Sequence, residues 1–316
     1  MRRKLTIITN EEKTLKIAFE EFVRLKKISN IAEKSMTNYK SCYNYFISYI
    51  GSDTPCDEIN NETILGYIEF LRERNSKLSD ISINTYLRSL RTFLYFCMEQ
   101  EYTAKFKISL IRAEKPLKET YSNSELEKLL KKPNIKNCSF SEYRNWVLIC
   151  YLLGTGNRRK TVCNIKIGDL DLEASEIKLK TVKNKKHYTI PISPFLKKVL
   201  QEYLVYRKGT AEDYLFSNIY GQKLAEDGLK TCIKRYNQSR GVLKTGLHQF
   251  RHTFAKKWIL NGGDPFRLKT ILGHSTMAMV NEYVNIYGND LQRDFSTFNP
   301  LDNMDCIKRN NGHIKM

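Results

Sequence analysis

The 316-residue sequence lacks most of the features that mark other classes of protein. Its eight cysteines, at positions 42, 56, 97, 138, 150, 163, 232 and 306, form no C-x-x-C pair, and several sit inside apolar runs such as Phe96-Cys97 and Ile149-Cys150. That speaks against a structural zinc site and predicts reduced, buried thiols of the kind a cytoplasmic protein carries. No apolar segment follows the basic Met1-Arg2-Arg3-Lys4 start, so no signal peptide is expected. The longest apolar run, Trp146 to Leu153, is far too short to cross a bilayer. There is no long Gly/Ser linker, no internal repeat and no low-complexity tract. A P-loop is missing, and so is the clustered acidic triad of a metal-dependent nuclease. Acidic residues are scarce beside basic ones, 34 against 53, which leaves a formal net charge of +19. A protein this basic is expected to meet a polyanion, and nucleic acid is the first candidate. The alternative is lysine that serves solubility alone. Apolar residues make up 41%, with many aromatics, which excludes a disordered tail protein. The length suffices for two domains, each with a core.

Hydrophobic periodicity predicts the architecture. Helices are expected over 11–26 (Leu15, Ala18, Phe19 and Phe22 on one stripe) and over 36–50 (Tyr39, Tyr43, Phe46, Ile50). Two more are expected over 61–74 after an Asn60-Asn61 cap signal, and from Ser82 to Gln100 with Tyr86, Leu90, Phe93, Leu94 and Cys97 inward. Lys34, Lys40, Arg88 and Arg91 flank the stripes of the second and fourth helices. Each alone is ordinarily a solvated residue; as a group they suit a surface that faces phosphates. Periodicity fades from Lys105 to Tyr121, where Arg112, Lys115, Pro116 and Lys118 mark a basic interdomain linker. The expected domains are 1–112, a helical unit, and 122–316, joined by the linker 113–121. In the second domain, helices are expected over 123–132, 139–154 and 158–164. Two alternating segments, Glu176 to Val182 and His187 to Ile192, then flank Lys183-Asn184-Lys185-Lys186 and read as a β-hairpin with a lysine-rich turn. Helices resume at 194–206, 224–238, 247–261, 264–272 and 276–286. The fold class is mainly α with a small antiparallel β-sheet.

The chemistry-bearing residues lie in this second domain. Tyr283 is expected in the last full turn of a helix capped by Ser275, beside a packing stripe of Met277, Val280 and Val284. Tyr287, one turn on, is its rival as a nucleophile. A phenol with a pKa of roughly 10 needs nearby cations or a base before it attacks at neutral pH. His248 and Arg251, at i and i+3, project from one side of a helix that Phe250, Phe254 and Trp258 anchor. A guanidinium there can fork onto phosphate oxygens, and Arg158, just after a glycine-containing turn, can supply a second fork. Singly, either arginine reads as a surface ion pair. His248 and His252 also have metal-ligand spacing, but the zinc-protease pattern needs Glu where Gln249 stands, and no third ligand is near in the sequence.

Taken in order, these motifs resemble the tyrosine recombinases of the phage-integrase family, and the resemblance spans the whole chain. Thr155-Gly156-Asn157-Arg158 is similar to the family's first arginine motif, with Lys166 and Asp169 at familiar offsets. The hairpin that ends in Ile190-Pro191-Ile192 is similar to the family's hairpin, and counting back from Pro191 places its lysine at Lys183, with Lys185 and Lys186 as rivals. His248-x-x-Arg251, Leu272-Gly273-His274 and Tyr283 resemble the remaining boxes. Two positions depart from the family pattern. Thr161 stands where the first motif usually carries Glu, and Gln249 where Asp often follows the His. Both acidic positions look supportive, so altered packing is expected there rather than loss of the site.

The resemblance implies a helical core-binding (SAM-like) domain followed by a mixed α+β catalytic domain. It implies site-specific cutting and rejoining of DNA through a 3′-phosphotyrosyl link from Tyr283. Arg158 and Arg251 would hold the phosphoryl oxygens, Lys183 would protonate the leaving oxygen, and His248 and His274 would assist. No metal and no other cofactor is implied. The implied partners are double-stranded DNA, bound also through Lys34, Lys40, Arg88, Arg91, Lys115, Lys185 and Lys186, and three further copies in a homotetramer on synapsed DNA. A directionality or accessory protein is a further partner the resemblance allows. Leu291, Phe295 and Phe298 give the tail enough apolar surface to dock on a neighbour or on its own domain. Only about ten residues precede the first expected helix, which argues against a separate arm-binding domain. Gly262-Gly263-Asp264-Pro265 and Asn299-Pro300-Leu301 look like recombinases of bacterial mobile elements. The other readings are a Xer-like resolving enzyme and a decayed recombinase that binds DNA without cutting.

Overall fold

The computed structural model describes residues 13–114, 118–180 and 187–287. The chain divides into two compact units, Met1–Leu117 and Lys118–Met316. In the first, α1 (Leu15–Ile28), α2 (Glu33–Ile50), α3 (Asn61–Arg74) and α4 (Asp80–Glu99) turn their apolar stripes onto one core. Leu15, Phe22, Phe46, Tyr67, Leu87 and Leu94 are fully buried in it. Caps decide where the helices begin. Thr14 accepts from the Ile17 amide, so α1 starts at Leu15, later than periodicity alone suggests. Asn60 and Thr63 form a reciprocal capping box at the head of α3. Ser79 accepts from the Ser82 amide, which moves the start of α4 forward to Asp80. No side-chain cap marks the start of α2 at Glu33, so the sequence carries no signal for it.

The second unit is built around α6 (Phe140–Thr155). Every residue from Tyr143 to Leu152 is buried, as expected for a mostly apolar helix packed on all sides, and the buried Arg144 donates to the Ser217 carbonyl and to Asn145. Packed on it are α5 (Asn123–Leu130), α8 (Pro194–Arg207), α9 (Glu226–Ser239) and α10 (Leu247–Leu260). The short α7 (Arg159–Asn164) follows α6 directly and leads into a small sheet. Its strands β1 (Leu170–Asp171), β2 (Glu176–Lys180) and β3 (His187–Pro191) are antiparallel in the order 1-2-3, with Ile177 opposite Ile190 and Leu179 opposite Tyr188. The sheet has one strand more than the expected hairpin. β1 is only two residues long, too short for alternation to register.

The last two helices among the described residues are α11 (Pro265–Leu272) and α12 (Ala278–Tyr287). Ala255 of α10, Leu268 and Leu272 of α11, and Val280 and Tyr283 of α12 form a small separate core. Tyr283 is therefore part of the packing stripe and not beside it, at 2% exposure. Ser275 does not cap α12, because the helix starts at Ala278 and the Met277 carbonyl accepts from Val280 and Asn281. All seven cysteines among the described residues are free. Among the described residues, no helix is long and apolar enough to cross a membrane.

Candidate active site

Two helix-ending turns set the geometry. α6 stops at Gly156, whose φ of 61° is left-handed, a conformation glycine adopts without penalty. A Cβ there would lie 2.7 Å from both Leu272 and Phe254, so the turn is pressed against α10 and α11. Asn157, buried beside it, donates to the Tyr151 hydroxyl at 2.8 Å. The chain then leaves outward, and Arg158 stands exposed at the head of α7. The second turn ends α11. Gly273 is left-handed at φ 59°, its amide bonds the Thr270 carbonyl, and the His274 amide bonds the Lys269 carbonyl. This is the Schellman pattern, and it gives the Leu272-Gly273-His274 motif a physical reading: Leu272 is the buried knob, Gly273 makes the reversal, and His274 is carried back toward α10.

Arg251, 5% exposed on α10, joins the two turns. Its Nη1 donates to the Gly156 carbonyl and its Nη2 to the Leu272 carbonyl, each at 2.9 Å. Nη2 also meets Nε2 of His274. A guanidinium can only donate, so Nε2 is the acceptor and the ring proton sits on Nδ1. That Nδ1 is buried and has no hydrogen-bond partner among the described residues. Arg158 points both terminal nitrogens at the Gly273 carbonyl, 3.1 Å from each. Carbonyls thus fix both arginines without neutralising them. Burial and the neighbouring Arg158 bring Arg251 down to about 10, which still leaves it cationic at neutral pH.

The histidines feel these cations. Burial, then Arg251, Arg158 and Lys118, lower His274 to about 4. His252 falls to about 4 through burial first, then Lys118, His248 and Arg251, with Glu282 opposing. His248 is exposed, yet the protein crowds one side of its ring, and that desolvation, followed by Arg251, Arg159 and Arg158, lowers its pKa too. The Tyr283 hydroxyl lies 2.6 Å from Nδ1 of His252. The Lys118 ammonium sits 4.6 Å from the centre of the Tyr283 ring and pairs with Glu282, the preceding residue on α12. Tyr188 on β3 brings its hydroxyl close to Gly273, where an added Cβ would meet it at 3.2 Å.

Of the residues singled out from sequence, Arg158, His248, Arg251, His274 and Tyr283 are gathered around α10. Lys183, Lys185, Lys186 and Lys115 lie outside the described residues, as do Leu291, Phe295 and Phe298. His252, Lys118 and Tyr188 were not anticipated in this cluster. His252 carried a signal only as a metal-ligand partner of His248, and Lys118 only as a linker charge. Their contacts span 31 and 164 residues of chain, beyond any local pattern. Gln249 is accounted for: its Oε1 accepts from the Gly246 amide at the head of α10, and its Nε2 donates to Glu119 at 2.6 Å. In the first unit, Lys34, Lys40 and Arg88 are exposed and Arg91 is half-buried. Arg88 and Arg91 are neighbours at i and i+3, whereas Lys34 and Lys40 point about 120° apart around α2.

Fold and cluster together define a class: a two-unit, mainly helical protein that gathers arginine, histidine and tyrosine around one helix of its C-terminal unit. The phage integrase family pattern matches residues 119–289, and that of the phage integrase SAM-like domain matches residues 14–111. The chain belongs to the phage integrase family. It is similar to the tyrosine recombinase XerD of Oceanobacillus iheyensis, with 24% identity over 90% of this chain and 99% of that one. The tyrosine recombinase XerC of Staphylococcus epidermidis is 24% identical over 89% and 96%. Two solved structures share the fold. The Tn1549 transposon integrase in complex with circular intermediate DNA has a TM-score of 0.68 at 21% identity, over 85% of this chain and 94% of that one. A lambda integrase tetramer bound to a Holliday junction has 0.69 at 15%, over 87% and 78%.

Proposed function

We propose that this chain is a site-specific tyrosine recombinase that cuts and rejoins DNA strands, with a mobile genetic element as its setting. The observation that carries the reading is the Arg251 guanidinium, held between two helix-ending turns beside His274 and near enough to Tyr283 for the two to interact electrostatically. Two fixed guanidiniums suit the negative charge that grows on phosphoryl oxygens during attack. Tyr283 Oη attacks the scissile phosphorus and the P–O5′ bond breaks, which leaves a 3′-phosphotyrosyl link and a 5′-hydroxyl. Arg158 and Arg251 bind the non-bridging oxygens. His274 offers Nδ1–H as a further donor, His248 assists from the rim, and Lys183 protonates the leaving 5′-oxygen. The link conserves the energy of the cleaved bond, so religation to another strand needs neither ATP nor a metal ion.

Full-length similarity to XerD and XerC favours a second reading of the biological setting, in which the same chemistry resolves chromosome dimers. The DNA that flanks the gene separates the two settings. Tetramer assembly on paired duplexes belongs to both readings.

The test is a nicked suicide substrate that traps the covalent stage. A protein–DNA adduct is expected that persists in EDTA and disappears in Tyr283→Phe. DNA binding with no adduct from the wild type would favour a protein that only binds.

A further inference from the structure

The phage-integrase signature accounts for His248, Arg251, His274 and Tyr283, but not for the imidazole in contact with the nucleophile itself. We propose that His252 is a catalytic residue, whose Nδ1 takes the proton of Tyr283 Oη as the tyrosyl–phosphorus bond forms. The inference rests on the reading of Tyr283 as nucleophile.

Geometry carries it. His252 Nδ1 and Tyr283 Oη are 2.6 Å apart, within reach for direct proton transfer. The two groups come from different helices, α10 and α12, and both are well packed: Tyr283 is 2% exposed, and His252 is half-buried between His248 and the tyrosine ring. His248, by contrast, is exposed, with its ring centre 6.4 Å from that of His252. In the tautomer with its proton on Nε2, a neutral His252 accepts the phenol proton at Nδ1.

The surroundings give this base a condition. Lys118, His248, Arg251, His274, Glu282 and Tyr283 all face it, and burial first, then the cations among them, hold His252 neutral and weakly basic in the free protein. A bound phosphodiester brings negative charge to those same cations. That offsets their field and raises the proton affinity of the imidazole. The base therefore strengthens when DNA is in place, which keeps the nucleophile protonated without it. As the proton moves to Nδ1, the Oη–P bond forms and the P–O5′ bond breaks. The 5′-oxygen takes its proton from a separate acid, so charge and protons balance.

The experiment follows single-turnover cleavage of the nicked substrate by the full chain from pH 5 to 10, for wild type, His252→Asn, His252→Ala and Tyr283→Phe. Asparagine keeps an acceptor near the Nδ1 position but cannot take up a proton. His252→Asn is expected to bind DNA like the wild type and to cleave about 10²- to 10⁴-fold more slowly at pH 7. The deficit should shrink about tenfold per pH unit as solvent base and phenolate take over. An unchanged rate in both His252 variants overturns the proposal, and so does a deficit that is constant with pH, since a role confined to packing gives that result. A Tyr283→Phe protein that still forms the adduct removes the nucleophile assignment itself, which the His252 data alone cannot do.

Discussion

Arg251 shows how one side chain can serve both the fold and the proposed chemistry. It is almost fully buried, and its partners are carbonyls and an imidazole, so its charge is solvated by dipoles, and among the described residues no carboxylate pairs with it. A carboxylate would stabilise the buried cation but would also compete with an incoming phosphate. The histidines around it respond to the same uncompensated charge, and a pH dependence follows. His252 and His274 have folded pKa values of about 4 against an ordinary 6.5. Between those values the unfolded chain binds more protons than the folded one, so stability falls as pH falls. Above pH 6.5 both states are neutral at these residues and the contribution is flat. Thermal melting of the DNA-free protein should therefore show a loss on the order of a few kcal/mol from pH 6.5 down to 4. His274→Asn should flatten part of that slope; an unchanged slope would mean that other groups carry the acid sensitivity.

At the scale of elements, the site is made by the ends of helices. α6 and α11 terminate in left-handed glycines, and the carbonyls presented there position Arg251 and Arg158. Gly156→Ala tests this dependence. The left-handed backbone alone costs about 1–2 kcal/mol for an L-residue, and the new methyl would press on Leu272 and Phe254. For a unit of this size a melting temperature lower by roughly 2–8 °C is expected. Adduct formation should fall further than stability does, because the Gly156 carbonyl and Leu272 both locate Arg251. The same comparison explains what could be read in advance. Periodicity located α3, α6, α8 and α10 because each has a continuous apolar stripe or an apolar barrel that only a helix can bury. The glycine motifs were legible because αL turns favour one residue type. β1 was not, since two residues carry no period. The burial of Tyr283 was not either, since Leu268 and Leu272 reach it from another helix. The contacts of His252 and Lys118 with Tyr283 depend on three separate segments meeting, and no spacing along the chain encodes that.

Across the whole molecule, the excess of 53 basic over 34 acidic residues has to be read against what it faces. Charge of this size acts on a polyanion through release of condensed counterions, so affinity should fall linearly on a log–log plot against salt. The slope reports how many phosphates are neutralised, about 0.9 per contact. Arg88 and Arg91 share one face of α4 in the first unit, and neither belongs to the cluster around α10. If that face meets the backbone of duplex DNA, Arg88→Ala should weaken binding evenly across sequences and reduce the slope by about 1, as expected for a lost phosphate contact. It should leave the cleavage rate of the saturated complex unchanged, because the proposed site lies in the other unit. A slope unaffected by Arg88→Ala would assign the face to solvent. A lower cleavage rate at saturation would mean that the first unit acts on catalysis as well as on binding.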